Sequence, residues 1–300
     1  MQTQCADAPE ARVSRSYLFV PADAERKLAK AAETAADALI IDFEDAVAAD
    51  RRPAARDLVR NGLPDYGGKD VWIRINPLDS GEAEADLDAA LSAGPTGIVL
   101  PKAEGATDID ELASLLDERE RSLGLDAGGT RILPIVTERP AALFLLHGYA
   151  EASPRLGGLT WGAEDLGVAV GAAETRAADG SWLPPYELAR SLCLFAAHAA
   201  DVAAIDTVFT DFRDSDGLAN YVANARRDGF DGMLAIHPAQ VETINAGFLP
   251  SPEELERAER IVALFAANPE AGALGMDGEM VDRPHWLQAK KILDKAKKYR

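Results

Sequence analysis

The sequence predicts an α/β fold, a closed (β/α)8 barrel of the TIM type with a helical extension at its carboxyl terminus. Three observations carry that prediction. Short apolar, β-branched runs recur eight times, alanine-rich stretches with helical spacing separate most of them, and nearly every run ends in polar or charged residues. Strands alternating with helices imply a parallel sheet, and eight such units are the number that closes into a barrel.

The candidate strands are residues 16–20, 38–41, 71–75, 96–100, 131–136, 156–161, 202–205 and 231–236, each bounded by turn chemistry. Between them, residues 24–36, 82–91, 109–116, 141–150, 185–199 and 218–227 carry helical periodicity. After the eighth run, residues 251–267 form another amphipathic helix. Ser251-Pro252-Glu253-Glu254 opens it, with a capping residue followed by Pro at the first helical position. The expected organisation is a disordered tail over 1–14, a barrel over 15–268 and an extension over 269–300 that packs on a neighbouring subunit. The lysines that end the extension, Lys290, Lys291, Lys295, Lys297 and Lys298, suit a helix carboxyl terminus.

Barrels of this kind place their chemistry where the strands end, at the carboxyl-terminal face. The residues found there are Pro21 and Asp23; Asp42, Glu44 and Asp45; Arg74 and Asn76; Pro101, Lys102 and Glu104; Thr137 and Glu138; Glu164 and Asp165; Asp206 and Asp211; and His237 and Pro238. Any one of them could serve only to cap a helix or face water. Carboxylates converging with one Arg and one Lys on a single face point to chemistry instead. The stretch Leu159–Gly167 is the clearest case, a buried strand running into Gly162, Glu164 and Asp165. Glycine permits close backbone approach, and carboxylate oxygens suit a hard cation such as Mg2+, although an acidic pair at this position also caps a following helix.

Composition narrows the class further. The chain has 300 residues, 47% of them hydrophobic, enough for one large core or two ordinary domains. With 31 basic and 50 acidic side chains its formal charge is −19, which disfavours nucleic acid and anionic membranes as partners and requires a local basic cluster for any anionic ligand. Two cysteines, Cys5 and Cys193, argue against a disulfide framework and for a reducing, cytoplasmic setting. No apolar run reaches the roughly 20 residues of a membrane span, and residues 1–14 lack the apolar core of a signal peptide.

Eight segments in order resemble one family. They are Arg15-Ser16-Tyr17-Leu18-Phe19-Val20-Pro21, Asp42-Phe43-Glu44-Asp45-Ala46-Val47, Arg74-Ile75-Asn76, Leu100-Pro101-Lys102-Ala103-Glu104, Val136-Thr137-Glu138, Gly162-Ala163-Glu164-Asp165-Leu166, Gly232-Met233-Leu234-Ala235-Ile236-His237-Pro238 and Met280-Val281-Asp282-Arg283-Pro284. Together they resemble the citrate lyase β-subunit-like members of the HpcH/HpaI aldolase superfamily, over about residues 15–289. That resemblance implies a carbon–carbon lyase that cleaves or forms a 3-hydroxyacyl-CoA thioester, such as malyl-CoA or citramalyl-CoA. The products of cleavage would be acetyl-CoA or a relative and a 2-keto acid.

By the same resemblance, Glu138 and Asp165 hold Mg2+. Arg74 contacts the acyl or carboxylate part of the substrate, with Glu138, Pro101 and Lys102 also at the substrate. Glu44 and Asp45 bond metal waters or substrate, and Asp282 returns a proton to the enolate carbon from across a subunit interface, with Asp277 as its local competitor. For the coenzyme A phosphates Arg15, Arg26 and Lys27 are the candidates. His237 could act as a general base, but His-Pro here is read as shaping the pocket wall. The implied assembly is a homotrimer or a dimer of trimers.

Two departures stand out: Ala22 where the family usually has Gly, and Arg139 where Thr usually follows the metal Glu, which places a cation beside the expected metal site or points outward. Two other readings remain. One is an aldolase on free hydroxy-keto acids, and the other is a β-subunit that acts on a carrier-bound citryl thioester within a citrate lyase complex.

Overall fold

A computed structural model describes residues 13–299. The expected tail therefore lies largely outside the described residues, and so does Cys5. Val13 and Ser14, placed in that tail by the sequence reading, are described. Val13 packs against the barrel interior, and Ser14, fully buried, donates from its hydroxyl to Asp70 at 2.8 Å.

The described residues form two compact units, divided between Asn245 and Ala246. The first is built on eight parallel strands, β1 (Ser16–Pro21), β2 (Ala38–Asp42), β3 (Asp70–Arg74), β4 (Gly97–Leu100), β5 (Arg131–Pro134), β6 (Gly158–Thr160), β7 (Ala203–Asp206) and β8 (Gly232–Ala235). Their order in the sheet is β5-β4-β3-β2-β1-β8-β7-β6. The ring is completed between β5 and β6 by isolated parallel bridges, Ile132 to Leu156 and Ile135 to Thr160, rather than by a continuous ladder. Each expected strand is found within two residues of its predicted ends, and the fold is a (β/α)8 barrel.

Strand alternation sends every second side chain into the barrel. The interior cluster comprises Tyr17, Ala38, Ile40, Trp72, Val99, Leu133, Ile135, Ala203, Ile205 and Leu234. Trp72, near the start of β3, is the largest of these, and it fits because its register partner on β4 is Gly97. A Cβ at that glycine would collide with the indole ring and come within 2.6 Å of the Arg131 carbonyl. The amino-terminal end of the barrel is thus a filled core, and chemistry is left to the other end.

The surrounding helices of this unit are α1 (Glu25–Ala31), α2 (Arg52–Arg60), α3 (Ala83–Ser92), α4 (Ala106–Leu123), α5 (Ala163–Val170), α6 (Pro184–Ala199) and α7 (Ser215–Asp228), followed by α8 (Val241–Gly247). Sequence reading missed α2, α5 and α8. Residues 141–150, expected as a helix, form two 3-10 segments, Pro140–Phe144 and Leu146–Glu151, closed by i to i+3 bonds such as Leu145 N–H to the Ala142 carbonyl. Runs of that geometry stay short, and this one leaves Phe144 exposed.

The second unit contains α9 (Pro252–Ala267), a hairpin of β9 (Ala273–Met276) and β10 (Glu279–Asp282), and α10 (Arg283–Lys298). Its core is Ala258, Ile261, Phe265, Met276, Val281 and Ala289. The helix over 252–267 therefore belongs with the carboxyl-terminal segment, and the division falls at 245/246, earlier than the 268/269 expected from the sequence. Ser251 caps α9 as its sequence indicated, with Glu254 N–H on Ser251 Oγ at 3.2 Å and Ser251 N–H on Glu254 Oε2 at 2.7 Å. Among the described residues no helix is long and apolar enough to cross a membrane.

Candidate active site

A cavity of about 600 Å3 opens at the carboxyl-terminal ends of the strands. Its lining includes Phe19, Asp42, Asp45, Arg74, Glu138, Gly162, Asp165 and His237, so the loops after β1, β2, β3, β5, β6 and β8 all contribute. Half of the residues singled out after strands in the sequence line this cavity, because parallel strands end on one face.

Arg74, the last residue of β3, is buried and held by a two-toothed fork. Its Nε and Nη2 donate to the two oxygens of Asp42, the last residue of β2, each at 2.7 Å. The third nitrogen, Nη1, lies 3.0 Å from Glu44 and 3.6 Å from Asp45, and the guanidinium sits over the Phe19 ring at 4.8 Å from its centroid. Asp42 also accepts the backbone N–H groups of Glu44 and Ala46, which fixes the turn that follows β2. Asp42 is the member of this group to which sequence reading gave no role. Its signal was the run of acids just past a strand end.

Glu138 is 4% exposed, and burial pushes its carboxyl up to about 8 against the pull of the Lys102 ammonium and N–H. Its Oε2 accepts the Lys102 backbone N–H at 2.5 Å. Lys102 presents that N–H from a left-handed conformation, φ +55°, a costly geometry for a non-glycine residue that persists where the surroundings enforce it. The Lys102 ammonium reaches Glu44 Oε1 at 2.5 Å and lies 3.7 Å from Asp165 Oδ1. Burial works against that ammonium, and the Glu44, Glu138 and Asp165 carboxylates more than offset it, so its pKa is raised. Burial likewise raises Glu44.

Gly162 is required by this packing. A Cβ there would come 2.7 Å from Glu138 Cγ, and Thr137 brackets the same glycine by accepting its N–H at 3.1 Å and donating to its carbonyl at 3.2 Å. Asp165 lies in the first turn of α5 without capping it: Gly162 is the N-cap, and no side chain bonds the helix end. Glu164 and Asp165 both stand in the first turn of α5, where negative charge is favoured, and both also line the cavity.

Five carboxylates, Asp42, Glu44, Asp45, Glu138 and Asp165, thus face two cations, Arg74 and Lys102. That excess fits a divalent cation, as does a deeply buried Glu138 whose charge is otherwise poorly compensated. Among the described residues no group of three or more His, Cys, Asp or Glu side chains is arranged to hold a metal ion by itself.

The remaining expected residues are distributed as follows. Lys27 lines the cavity together with Lys30 and Thr34, which sequence reading passed over although Lys30 lies one helical turn on from Lys27. Arg26 is exposed on α1 and is not in the lining. Arg15, expected with them at the phosphates, stands instead at the amino-terminal end of β1, where its guanidinium grips Asp37 at 2.7 and 2.9 Å. It precedes the strand, and on a parallel barrel that end faces away from the mouth. Pro101 and Lys102 line a smaller pocket of about 290 Å3 together with Asp79, Glu104 and Arg139. Arg139 points there, bonded to Asp79 at 2.7 Å and Glu104 at 2.9 Å. The His237 ring stacks on Phe212, and its Nδ1 accepts the Ala239 N–H, as suits a wall residue.

In the second unit, Asp282 caps α10. It accepts the His285 N–H, and its Oδ1 lies 2.5 Å from His285 Nδ1, an interaction that lowers its pKa.

A (β/α)8 barrel with a carboxylate cluster, an Arg–Asp fork and a cavity at its mouth defines a barrel enzyme. Comparison with known proteins narrows the class. The profile described as HpcH/HpaI aldolase/citrate lyase matches residues 15–238, and the chain belongs to that family of lyases. It is 36% identical over 298 residues to a (3S)-malyl-CoA thioesterase of Cereibacter sphaeroides, covering 96% of each chain. It is 34% identical over 286 residues to the citrate lyase subunit beta of Leuconostoc mesenteroides, covering 94% of this chain and 93% of that one. Among solved structures, CitE of Mycobacterium tuberculosis in complex with magnesium, acetoacetate and coenzyme A superposes with a TM-score of 0.81 at 34% identity, covering 95% of this chain and 99% of that one.

Proposed function

We propose that the protein is a cytoplasmic, Mg2+-dependent carbon–carbon lyase. It would cleave or form a 3-hydroxyacyl-CoA thioester such as malyl-CoA or citramalyl-CoA, with acetyl-CoA or a relative and a 2-keto acid as the other partners. The observation that carries this reading is the buried Glu138 packed on Gly162, lining one cavity with Asp165 and with Arg74, which Asp42 clamps. The CitE complex with magnesium, acetoacetate and coenzyme A supports it.

In this reading Glu138 and Asp165 hold the ion, and Lys27 and Lys30 at the cavity rim meet the anionic end of the thioester. When bound, Mg2+ would supply positive charge to the oxygen that becomes the keto-acid carbonyl, a contribution of several kcal/mol. The chain's own residues do the rest. Asp45, which lines the cavity beside Arg74, accepts the proton of the substrate hydroxyl, and Glu44, buried between Lys102 and Arg74, holds those two cations in place. The adjacent carbon–carbon bond breaks, its electron pair passes into the thioester enolate, and Arg74 stabilises the developing oxyanion, a term worth about 2.7–4 kcal/mol for a single well-placed donor. Asp282 of a neighbouring subunit in a trimer, or a dimer of trimers, delivers the proton to the enolate carbon.

The test is a panel of 3-hydroxyacyl-CoA thioesters with product analysis, run with and without Mg2+ on the wild type, Glu138→Gln and Asp282→Asn. Glu138→Gln should lose ion binding and turnover, whereas Asp282→Asn should keep the ion and lose turnover. Full activity of both variants would refute the assignment. Release of intact hydroxy acid and free CoA, with no keto acid, would replace cleavage by hydrolysis, the activity for which the Cereibacter relative is named.

A further inference from the structure

The Glu138–Arg139 pair is joined to the loop after β4 twice, once through each side chain. On the cavity side the Glu138 carboxylate accepts the Lys102 N–H. Arg139 begins a 3-10 segment from an extended conformation, φ −107° and ψ 131°, so its side chain leaves the backbone on the face opposite that of Glu138. There its fork takes Glu104, two residues beyond Lys102, and Asp79, five residues beyond Arg74. Glu104 is in turn fixed through its own N–H, which donates to Asp108 at 2.8 Å.

One guanidinium therefore ties together the loops after β3, β4 and β5, the loops that follow Arg74, Lys102 and Glu138. We infer that Arg139 is a positioning residue: by clasping Glu104 and Asp79 it holds the Glu138 carboxylate in place for its cation. This rests on the reading that Glu138 is an ion ligand.

Partly exposed ion pairs contribute little to global stability, so the clasp should register in the site more than in unfolding. Lysine cannot reproduce a fork that engages two carboxylates at once. Groups that orient metal ligands from outside the coordination shell commonly change affinity 10- to 100-fold when removed.

The experiment measures Mn2+ binding by electron paramagnetic resonance, with no substrate present, on the full chain and on Arg139→Gln, Arg139→Lys, Glu104→Gln, the Glu104→Gln/Arg139→Gln double variant and Glu138→Gln. Thermal unfolding is followed in parallel. The expected result is about a tenfold weaker Mn2+ affinity for Arg139→Gln, partial recovery in Arg139→Lys, and a double variant no weaker than Arg139→Gln alone. Wild-type affinity in Arg139→Gln, or additive losses in the double variant, would overturn the inference. If Glu138→Gln also bound Mn2+ normally, the reading of the ion site would fall with it. Loss in Glu138→Gln alone would sink only the clasp. Should Arg139→Gln fail to fold, Arg139→Lys and Asp79→Asn carry the same comparison.

Discussion

Gly162→Ala is the sharpest perturbation of the proposed site, because it adds a single methyl group and no charge. Its Cβ would stand 2.7 Å from Glu138 Cγ, 3.3 Å from Oε1 and 3.4 Å from Cδ. Carbon atoms pack comfortably at about 3.5–4.0 Å, so something must move by roughly 1 Å. Glu138 has little room to retreat, since its Oε2 is bonded to the Lys102 N–H and its side chain is buried. The glycine cannot retreat freely either, because Thr137 holds both its N–H and its carbonyl.

Overpacking of this kind costs about 1–3 kcal/mol. A binding site tolerates displacements of only about 0.5 Å, so the larger effect should fall on the ion. We expect Mn2+ affinity to drop by about 10- to 100-fold, with the urea midpoint lowered by an amount corresponding to 1–3 kcal/mol as above. Calorimetric Mn2+ titration and urea unfolding of the same preparations provide both numbers. Unchanged affinity together with unchanged turnover would show that the glycine does not hold the carboxylate in place for anything, and the reasoning about Glu138 would fail.

Three other expectations follow from the same geometry. Gly97→Ala should destabilise by about 1–3 kcal/mol, since its methyl group meets Trp72 and the Arg131 carbonyl, yet leave Mn2+ affinity at the wild-type value because that layer lies at the far end of the barrel; a loss of ion binding would contradict it. Asp206→Ala should cost about 3–5 kcal/mol in urea unfolding, because it leaves the Arg190 guanidinium, the Trp161 indole N–H and the Tyr221 hydroxyl without their shared acceptor; a loss under 1 kcal/mol would show that water replaces it. Glu120, buried against the Arg155 fork and the Thr130 and Gly128 N–H groups, has its carboxyl lowered from 4.5 to about 2, these bonds outweighing burial. Its folded pKa lies below its unfolded one, so its contribution is complete above pH 4.5 and vanishes as the pH falls towards 2, a span worth about 3 kcal/mol. Glu120→Gln should therefore flatten the acid limb of the stability curve, and parallel acid limbs would refute this.

The barrel was legible because the information that specifies it is local and repeated. A run such as Ala38-Leu39-Ile40-Ile41 has little choice but to be a buried parallel strand, and eight of them place Asp42, Arg74, Lys102, Glu138 and Asp165 on one face without further knowledge. The roles proposed for those residues came from the resemblance, since spacing alone favoured capping for Asp165. What escaped the sequence depended on partners remote in the chain. The direction taken by Arg139 is decided by Asp79 and Glu104, 60 and 35 residues away, and the fork on Arg74 by Asp42, 32 residues away.

The β9–β10 hairpin was different, because its signal was present and unread. Asp277 and Gly278 adopt φ values of +54° and +84°, as a two-residue turn demands, and Asp-Gly between strand-forming residues is a strong hairpin signal. The hairpin explains why α9 leaves the barrel's count of helices. Met276 and Val281, one from each strand, supply the apolar surface that Ile261 and Phe265 bury, so a helix that reads as a ninth barrel element finds its core in the segment that follows it. Asp282 owes its position to the same arrangement, because it is both the last residue of β10 and the cap of α10. The capping box that fixes it also brings His285 within 2.5 Å of the carboxylate proposed to move a proton.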